Sequence, residues 1–218
     1  RRESVVAEAF LTLLRLADSR FTAPDVLSLL EFAPVRERFG LAAGDLERVR
    51  DWLAEANIRW GLDGRSKERL GLPPEPAHTW RAGLDRLLLG YALPPEGDGL
   101  FAEIAPAGGG AGDAAAALGR LAELVAALER LAQALDGRGT RREWSQRLAT
   151  VLDGFFVREE GVDREADRVR AVVHGLGELA GLGDEGPEYG LDAVRHCLEE
   201  SLGRPGAVFG FLAGRVTC

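Results

Sequence analysis

Apolar positions recur at helical spacing over most of the chain. Val6, Phe10, Leu13, Leu14 and Ala17 fall on one face of a first predicted helix, which ends in the turn-forming run Asp18, Ser19 and Arg20. Thr22, with Asp25 three residues on and Pro24 between them, reads as a capping box opening a second helix that carries Val26, Leu27, Leu29 and Leu30. These two helices are expected to form a hairpin. A third is predicted over 45–56, with Leu46, Val49, Leu53 and Ala56 facing inward. Ile58, Trp60 and Leu62 then alternate with Arg59, Gly61 and Asp63, a period of two that fits an extended segment with one face on the helices.

The spacer Leu72, Pro73, Pro74, Glu75 and Pro76 cannot be helical throughout, because each proline removes a donor and biases its predecessor toward extended backbone. Helix resumes near Thr79, with Trp80, Leu84, Leu87, Leu88 and Tyr91 expected inside. Pro94, Pro95, Gly97 and the run Gly108, Gly109 and Gly110 mark 94–113 as a flexible loop. The clearest amphipathic helix is predicted over 114–135, where Leu118, Leu121, Val125, Leu128, Ala132 and Leu135 form a seam narrow enough for one neighbouring helix. Thr140 with Glu143 makes a second capping box, opening a helix with Trp144, Leu148, Val151 and Leu152 inside. Helices over 163–179 and 191–202 follow, and Val208, Phe209, Phe211 and Leu212 form a β-rich end. No repeat of solenoid period is present.

Composition narrows the function. With 46% apolar and 28% charged residues, the 218-residue chain has the balance of a globular protein of one or two domains. A net charge of -8 argues against a general phosphate-binding surface, since nucleic-acid affinity comes from clustered Lys and Arg displacing counterions. A local basic patch stays compatible with it. The two cysteines, Cys197 and Cys218, give neither a disulfide framework nor a metal-ligand spacing, which with the lack of a charged leader or a membrane-length apolar run makes the cytoplasm the expected location. The chain starts at Arg1 and contains no Met, as expected of a piece of a larger protein.

Candidate chemistry is sparse. The Gly-rich run before Asp113 is followed by no Gly-Lys-Ser/Thr and preceded by no strand, so it reads as a linker rather than a phosphate loop. His78, His174 and His196 lie far apart, and the His196–Cys197 pair would point about 100 degrees apart on a helix, a poor start for a metal site. Acidic residues are interleaved with Arg, leaving no tuned acid–base pair and no nuclease cluster. No cofactor, no metal and no catalysis are expected of these residues. Trp52, Trp60, Trp80 and Trp144 are candidate base-stacking platforms, but three fall on or beside apolar faces, which favours core packing; Trp60, flanked by Arg59 and Asp63, leaves both readings open.

The most specific signal is a pair of Trp-centred blocks flanking the Pro-rich spacer. Residues 57–63 read Asn-Ile-Arg-Trp-Gly-Leu-Asp, with Ile58, Arg59, Trp60, Gly61, Leu62 and Asp63 as marked positions. Residues 78–93 read His-Thr-Trp-Arg-Ala-Gly-Leu-Asp-Arg-Leu-Leu-Leu-Gly-Tyr-Ala-Leu, with His78, Thr79, Trp80, Gly83, Leu84, Gly90 and Tyr91. Supporting stretches are 9–30, the run Asp153, Gly154, Phe155 and Phe156, and 211–217 with Phe211, Leu212 and Gly214. Together they resemble the gamma-subunit family of exodeoxyribonuclease V, RecC.

The resemblance implies a mainly α, multi-helix domain over 1–206, similar to the 2B insertion domain of helicases related to UvrD and Rep, with 207–218 a strand returning to a second helicase-like lobe. It also implies a non-catalytic subunit of a helicase-nuclease that processes DNA ends in recombinational repair and recognises the Chi sequence as a whole. Implied partners are the beta (RecB) and alpha (RecD) subunits, with DNA met through the complex and no membrane. The signature residues are then structural. Helicase domains of this type often meet duplex DNA through a Gly-Ile-Gly-like turn; the corresponding stretch 33–41 keeps Gly40 alone and carries Glu37, which argues against direct duplex binding. The alternatives are the 2B domain of an active helicase and an unrelated helical interaction module.

Overall fold

The computed structural model describes residues 4–92, 104–108, 113–157, 164–178 and 186–203. The expected β-rich end, with Phe211, Leu212 and Gly214, lies outside them. In chain order the helices are α1 (Val5–Ala17), α2 (Ala23–Leu30), α3 (Ala33–Arg38), α4 (Asp45–Glu55), α5 (Gly64–Glu68), α6 (Trp80–Ala92), α7 (Asp113–Ala134), α8 (Arg141–Phe155), α9 (Arg164–Glu178) and α10 (Leu191–Gly203). Two short strands, β1 (Arg138–Gly139) and β2 (Tyr189–Gly190), pair antiparallel with Arg138 opposite Gly190. The architecture is mainly α, as the periodicity implies.

Contacts cluster into two compact units, Ser19–Arg130 and the combination of Arg1–Asp18 with Leu131–Cys218. In the latter, α1, α8, α9 and α10 pack together through Phe10, Leu13, Leu14, Leu148, Val169, Val173 and Leu198, all with at most 1% exposure. Each such side chain contributes about 1.5–3 kcal/mol on leaving water. Ser4 caps α1 by accepting from the Ala7 amide, and the Thr140–Glu143 box closes as expected, with each side chain reaching the other's backbone. The β1–β2 pair has no counterpart in the hydrophobic pattern, because two residues per strand are too few to show alternation. It holds Tyr189 where its carbonyl accepts from Trp144 Nε1 at 2.9 Å.

In the Ser19–Arg130 unit, α2 packs on α3 and α4. The expected α1–α2 hairpin falls across the boundary between the two units, and within its own unit α1 packs on α9 and α10. Thr22 caps α2 through the Asp25 amide, but the reciprocal half differs from a capping box, since the Asp25 carboxylate accepts from the Thr22 hydroxyl at 2.6 Å. The short helix α3 occupies part of the stretch compared with a Gly-x-Gly turn. Within it the amides of Val35 and Arg36 both donate to the Phe32 carbonyl.

Three further expectations change. Leu88 is 43% exposed, because α6 turns that position away from the side on which Leu84 and Leu87 are buried. The buried face of α7 is wider than a seam, for Ala117, Leu124, Ala127 and Leu131 are buried beside the anticipated positions. Within the loop expected to be flexible, 104–108 is pinned: Ala107 donates to the Arg86 carbonyl at 2.9 Å, Gly108 to Glu55 Oε1 at 2.8 Å, and Arg86 Nε returns a bond to the Ala105 carbonyl at 3.0 Å. The remainder of 94–112 lies outside the described residues.

Candidate functional site

The two Trp blocks meet in the Ser19–Arg130 unit and form its hydrogen-bonded hub. Helix α4 ends in a Schellman arrangement: Asn57 takes a left-handed conformation at φ 55°, its amide bonds to the Ala54 carbonyl, and Ile58 donates back to Leu53 at 2.9 Å. Asn tolerates this region better than most side chains. The chain then passes through 58–62 without forming a ladder strand, bending at Trp60 and Leu62 and taking φ 79° at Gly61. On one side Ala23 donates to the Arg59 carbonyl and Gly61 to the Arg20 carbonyl, both at 2.8 Å. On the other, Arg59 and Trp60 donate to the His78 carbonyl at 2.9 and 3.3 Å.

The same segment caps α6. Trp80 and Arg81, whose amides have no intrahelical acceptor, donate to the carbonyls of Gly61 and Leu62 at 2.9 Å each, and Ala82 donates to Thr79 Oγ1. Thr79 is itself fully buried and donates its hydroxyl to the Pro76 carbonyl at 2.6 Å. Those donors are consumed, so this helix start offers them to no phosphate. Trp80 is completely buried, and its Nε1 donates to the Phe21 carbonyl at 2.9 Å.

Each marked residue has a place here. Ile58 and Leu62 are buried, and Gly83 is the point where α6 crosses Ile58; a Cβ at Gly83 would run into the Ile58 side chain. Gly61 sits at φ 79°, a conformation costly for any residue with a Cβ. Leu84 is buried, Gly90 lies against the Ala107 carbonyl, and Tyr91 meets Trp52 edge-on at 6.3 Å between ring centroids. Asp63 caps α5 in a reciprocal box with Ser66, a helix the apolar pattern does not reveal because its five residues carry no apolar side chain.

Trp60 departs from the simple alternation. It is half-buried, and the ammonium of Lys67 lies 4.8 Å from its ring centroid. Lys67 is only 6% exposed and donates Nζ to the Ala77 carbonyl at 2.6 Å, tying α5 to the Pro-rich spacer. Nothing in the local pattern singles it out beforehand. The described backbone has three non-glycine residues at positive φ, Phe21, Asn57 and His78, and all three belong to this hub. Such conformations persist where the surroundings over-determine them.

Reactive chemistry is not assembled here. No group of three or more His, Cys, Asp or Glu able to hold a metal occurs among the described residues. His174 faces Glu178 at 3.5 Å, His196 is exposed, and Cys197 is half-buried with its thiol pKa raised by burial. Arg81 is clamped by both oxygens of Glu129 at 2.7 Å, which raises the guanidinium pKa. No described helix is long and apolar enough to cross a membrane.

The hub residues and the helices around them match the family model described as RecBCD enzyme subunit RecC fourth domain, over residues 3–206. The chain belongs to the RecC fourth-domain family. It is 34% identical over 221 residues to the RecBCD enzyme subunit RecC of Escherichia coli K12, covering 99% of this chain and 19% of that protein. The corresponding subunit of Mycobacterium tuberculosis CDC 1551 is 36% identical over 93% of the chain and 18% of its own length, and that of Haemophilus influenzae Rd 33% over 81% and 15%. The chain thus spans less than a fifth of the length of these relatives. In this RecC fourth domain both Trp blocks lie inside the matched region, whereas Phe211, Leu212 and Gly214 lie beyond it.

Proposed function

We propose that the chain is a non-catalytic scaffold domain of the gamma subunit of a RecBCD-type helicase-nuclease, acting in DNA end processing during recombinational repair. Its role is to shape the complex and to contact the companion subunits RecB and RecD, while Chi recognition belongs to the whole subunit. The domain takes the place of a 2B-like insertion in the second helicase-like lobe, with 207–218 returning the chain to that lobe, and it meets duplex DNA weakly. The family match over 3–206 carries this reading. The consumption of the hub's backbone amides by its own carbonyls supports a structural role for the signature, and the bonded Val35 and Arg36 amides of α3 argue against a duplex-binding turn at 33–41.

The test is reconstitution of the full-length subunit with Trp80→Ala or Gly83→Ala. Assembly with RecB and RecD, measured by size exclusion, should fall with the stability of the domain, while DNA-end-stimulated ATP hydrolysis per assembled complex stays constant. Complexes that form in full yield but lose turnover or end binding would overturn the scaffold reading. Duplex affinity of the domain should be no tighter than roughly 0.1 mM to 1 μM at physiological salt; nanomolar binding with a steep salt slope would favour an active-helicase 2B domain instead.

A further inference from the structure

Three basic side chains of the hub, those of Arg20, Arg59 and His78, are exposed. Arg59 and His78 meet half-buried Asn57, and Arg20 lies on the backbone segment paired with Gly61. Their backbones are neighbours, since Arg20 accepts from Gly61 and His78 from both Arg59 and Trp60. Asn57 organises the side chains: its Oδ1 accepts from Arg59 Nε at 2.9 Å, and its carbonyl meets His78 Nδ1 at 3.2 Å. That leaves both Nη groups of Arg59 without a partner among the described residues. No described carboxylate lies within ion-pair distance of Arg20, Arg59 or His78, whereas Arg81 pairs with Glu129 through Nε and Nη2.

The cluster is also where the backbone is unusual. The strained residues Phe21, Asn57 and His78 respectively follow Arg20, precede Arg59 by two positions and complete the face. A guanidinium tethered through Nε to Asn57 presents both Nη groups, a fork suited to bidentate pairing with a planar anion. Two anions fit, a carboxylate and a phosphate. The net charge of -8 disfavours a polyphosphate strand, which the molecule repels as a whole, but tolerates one or two carboxylates met at contact distance inside the roughly 8 Å screening length.

We propose that the Arg20–Arg59–His78 face docks a carboxylate-bearing segment of a companion polypeptide in the assembled enzyme. This rests on the scaffold reading and names the chemistry of one docking surface. The experiment uses full-length subunits with Arg20→Glu, Arg59→Glu or Arg59→Lys, titrated with purified RecB and RecD at several salt concentrations. Each charge reversal should weaken association at least about tenfold at low salt, with the difference shrinking as salt rises. Arg59→Lys, which keeps the charge and loses the fork, should fall between. The melting temperature of the free subunit should not move; if Arg59→Glu destabilises it, Arg20→Glu, which has no side-chain bond to lose, carries the test.

Unchanged assembly would overturn the proposal. Unchanged assembly with weakened binding of DNA ends and a shallower salt slope would assign the face to a nucleic-acid strand instead. Either result leaves the scaffold reading to be judged separately, by whether Trp80→Ala and Gly83→Ala abolish assembly.

Discussion

The indole nitrogen of Trp80 donates to the carbonyl of Phe21 at 2.9 Å, across 59 positions of sequence. Phe21 holds that carbonyl in place from a left-handed backbone, φ 51°, and the indole around the bond is sealed from water. Packing and polar satisfaction are therefore one interaction here. Trp80→Ala should cost about 3–5 kcal/mol through lost transfer energy and a cavity. Trp80→Phe keeps most of the volume but strands the Phe21 acceptor, for about 1–3 kcal/mol. Urea unfolding followed by circular dichroism measures both; a Phe variant as stable as the parent would mean that water reaches Phe21.

Gly83 and Gly119 test the difference between a glycine that packing requires and one it does not. A Cβ at Gly83 meets Ile58 Cγ1 and Cδ1, so Gly83→Ala should destabilise by about 1–3 kcal/mol despite the better helix propensity of Ala, and Ile58→Ala, which removes both clashing carbons, should cost less in the Gly83→Ala background than in the parent. Gly119 lies exposed on α7 with nothing within 4 Å of an added Cβ. Gly119→Ala should raise stability by about 0.4–1 kcal/mol. Differential scanning calorimetry of the two variants should move the midpoint in opposite directions.

How much of this was legible depended on the range of the interaction. The helices α1, α4, α7, α8, α9 and α10 follow from apolar spacing and from local caps such as Thr140 with Glu143, signals contained within a few residues. The hub was legible only as a signature. Sequence marks Trp60, Gly61, Trp80 and Gly83, but that Gly83 faces Ile58 and that Trp80 reaches Phe21 are pairings over 25 or more positions, which no local period encodes. Lys67 was missed because a lysine in a short polar helix reads as solvated; its burial comes from Trp60 on one side and the Ala77 carbonyl on the other. Leu88 went the opposite way, an apolar residue at helical spacing left outside.

The Thr140–Glu143 box should give an acid-side signature. The Thr140 amide and hydroxyl both donate to Glu143 Oε2, at 2.7 and 3.1 Å, and the amide bond chiefly holds the carboxyl pKa below its ordinary value. A depressed folded-state pKa gives stabilisation that is present above the unfolded carboxylate pKa, about 4.3, and is lost as pH falls through the folded value. The gap in melting temperature between the parent and Glu143→Gln should therefore close on acidification below about pH 4.3. Thr140→Ala, which removes the cap itself, should cost about 0.5–2 kcal/mol at neutral pH. A gap that stays constant from pH 7 to pH 3, a range spanning the ordinary carboxylate pKa, would assign the effect to shape rather than charge.

Lys67 offers the sharpest test of whether the Pro-rich spacer is built into the fold or merely follows it. Its methylene stem lies beside Gly61, its ammonium over Trp60, and its Nζ holds the Ala77 carbonyl just before His78 and Thr79, the residues that open α6. Lys67→Met preserves the stem and its burial while removing the head. The change strands one carbonyl acceptor, costing about 1–3 kcal/mol, and forfeits a cation–π contact of about 0.5–2 kcal/mol, offset by relief from desolvating a charge. The net loss should be about 1–3 kcal/mol. More informative is where it is felt: limited proteolysis should speed up within 70–77, whose residues are exposed and anchored in part by Lys67, before global unfolding is detectable. Cleavage that instead tracks the global stability of the variant would show that the spacer opens only with the whole unit.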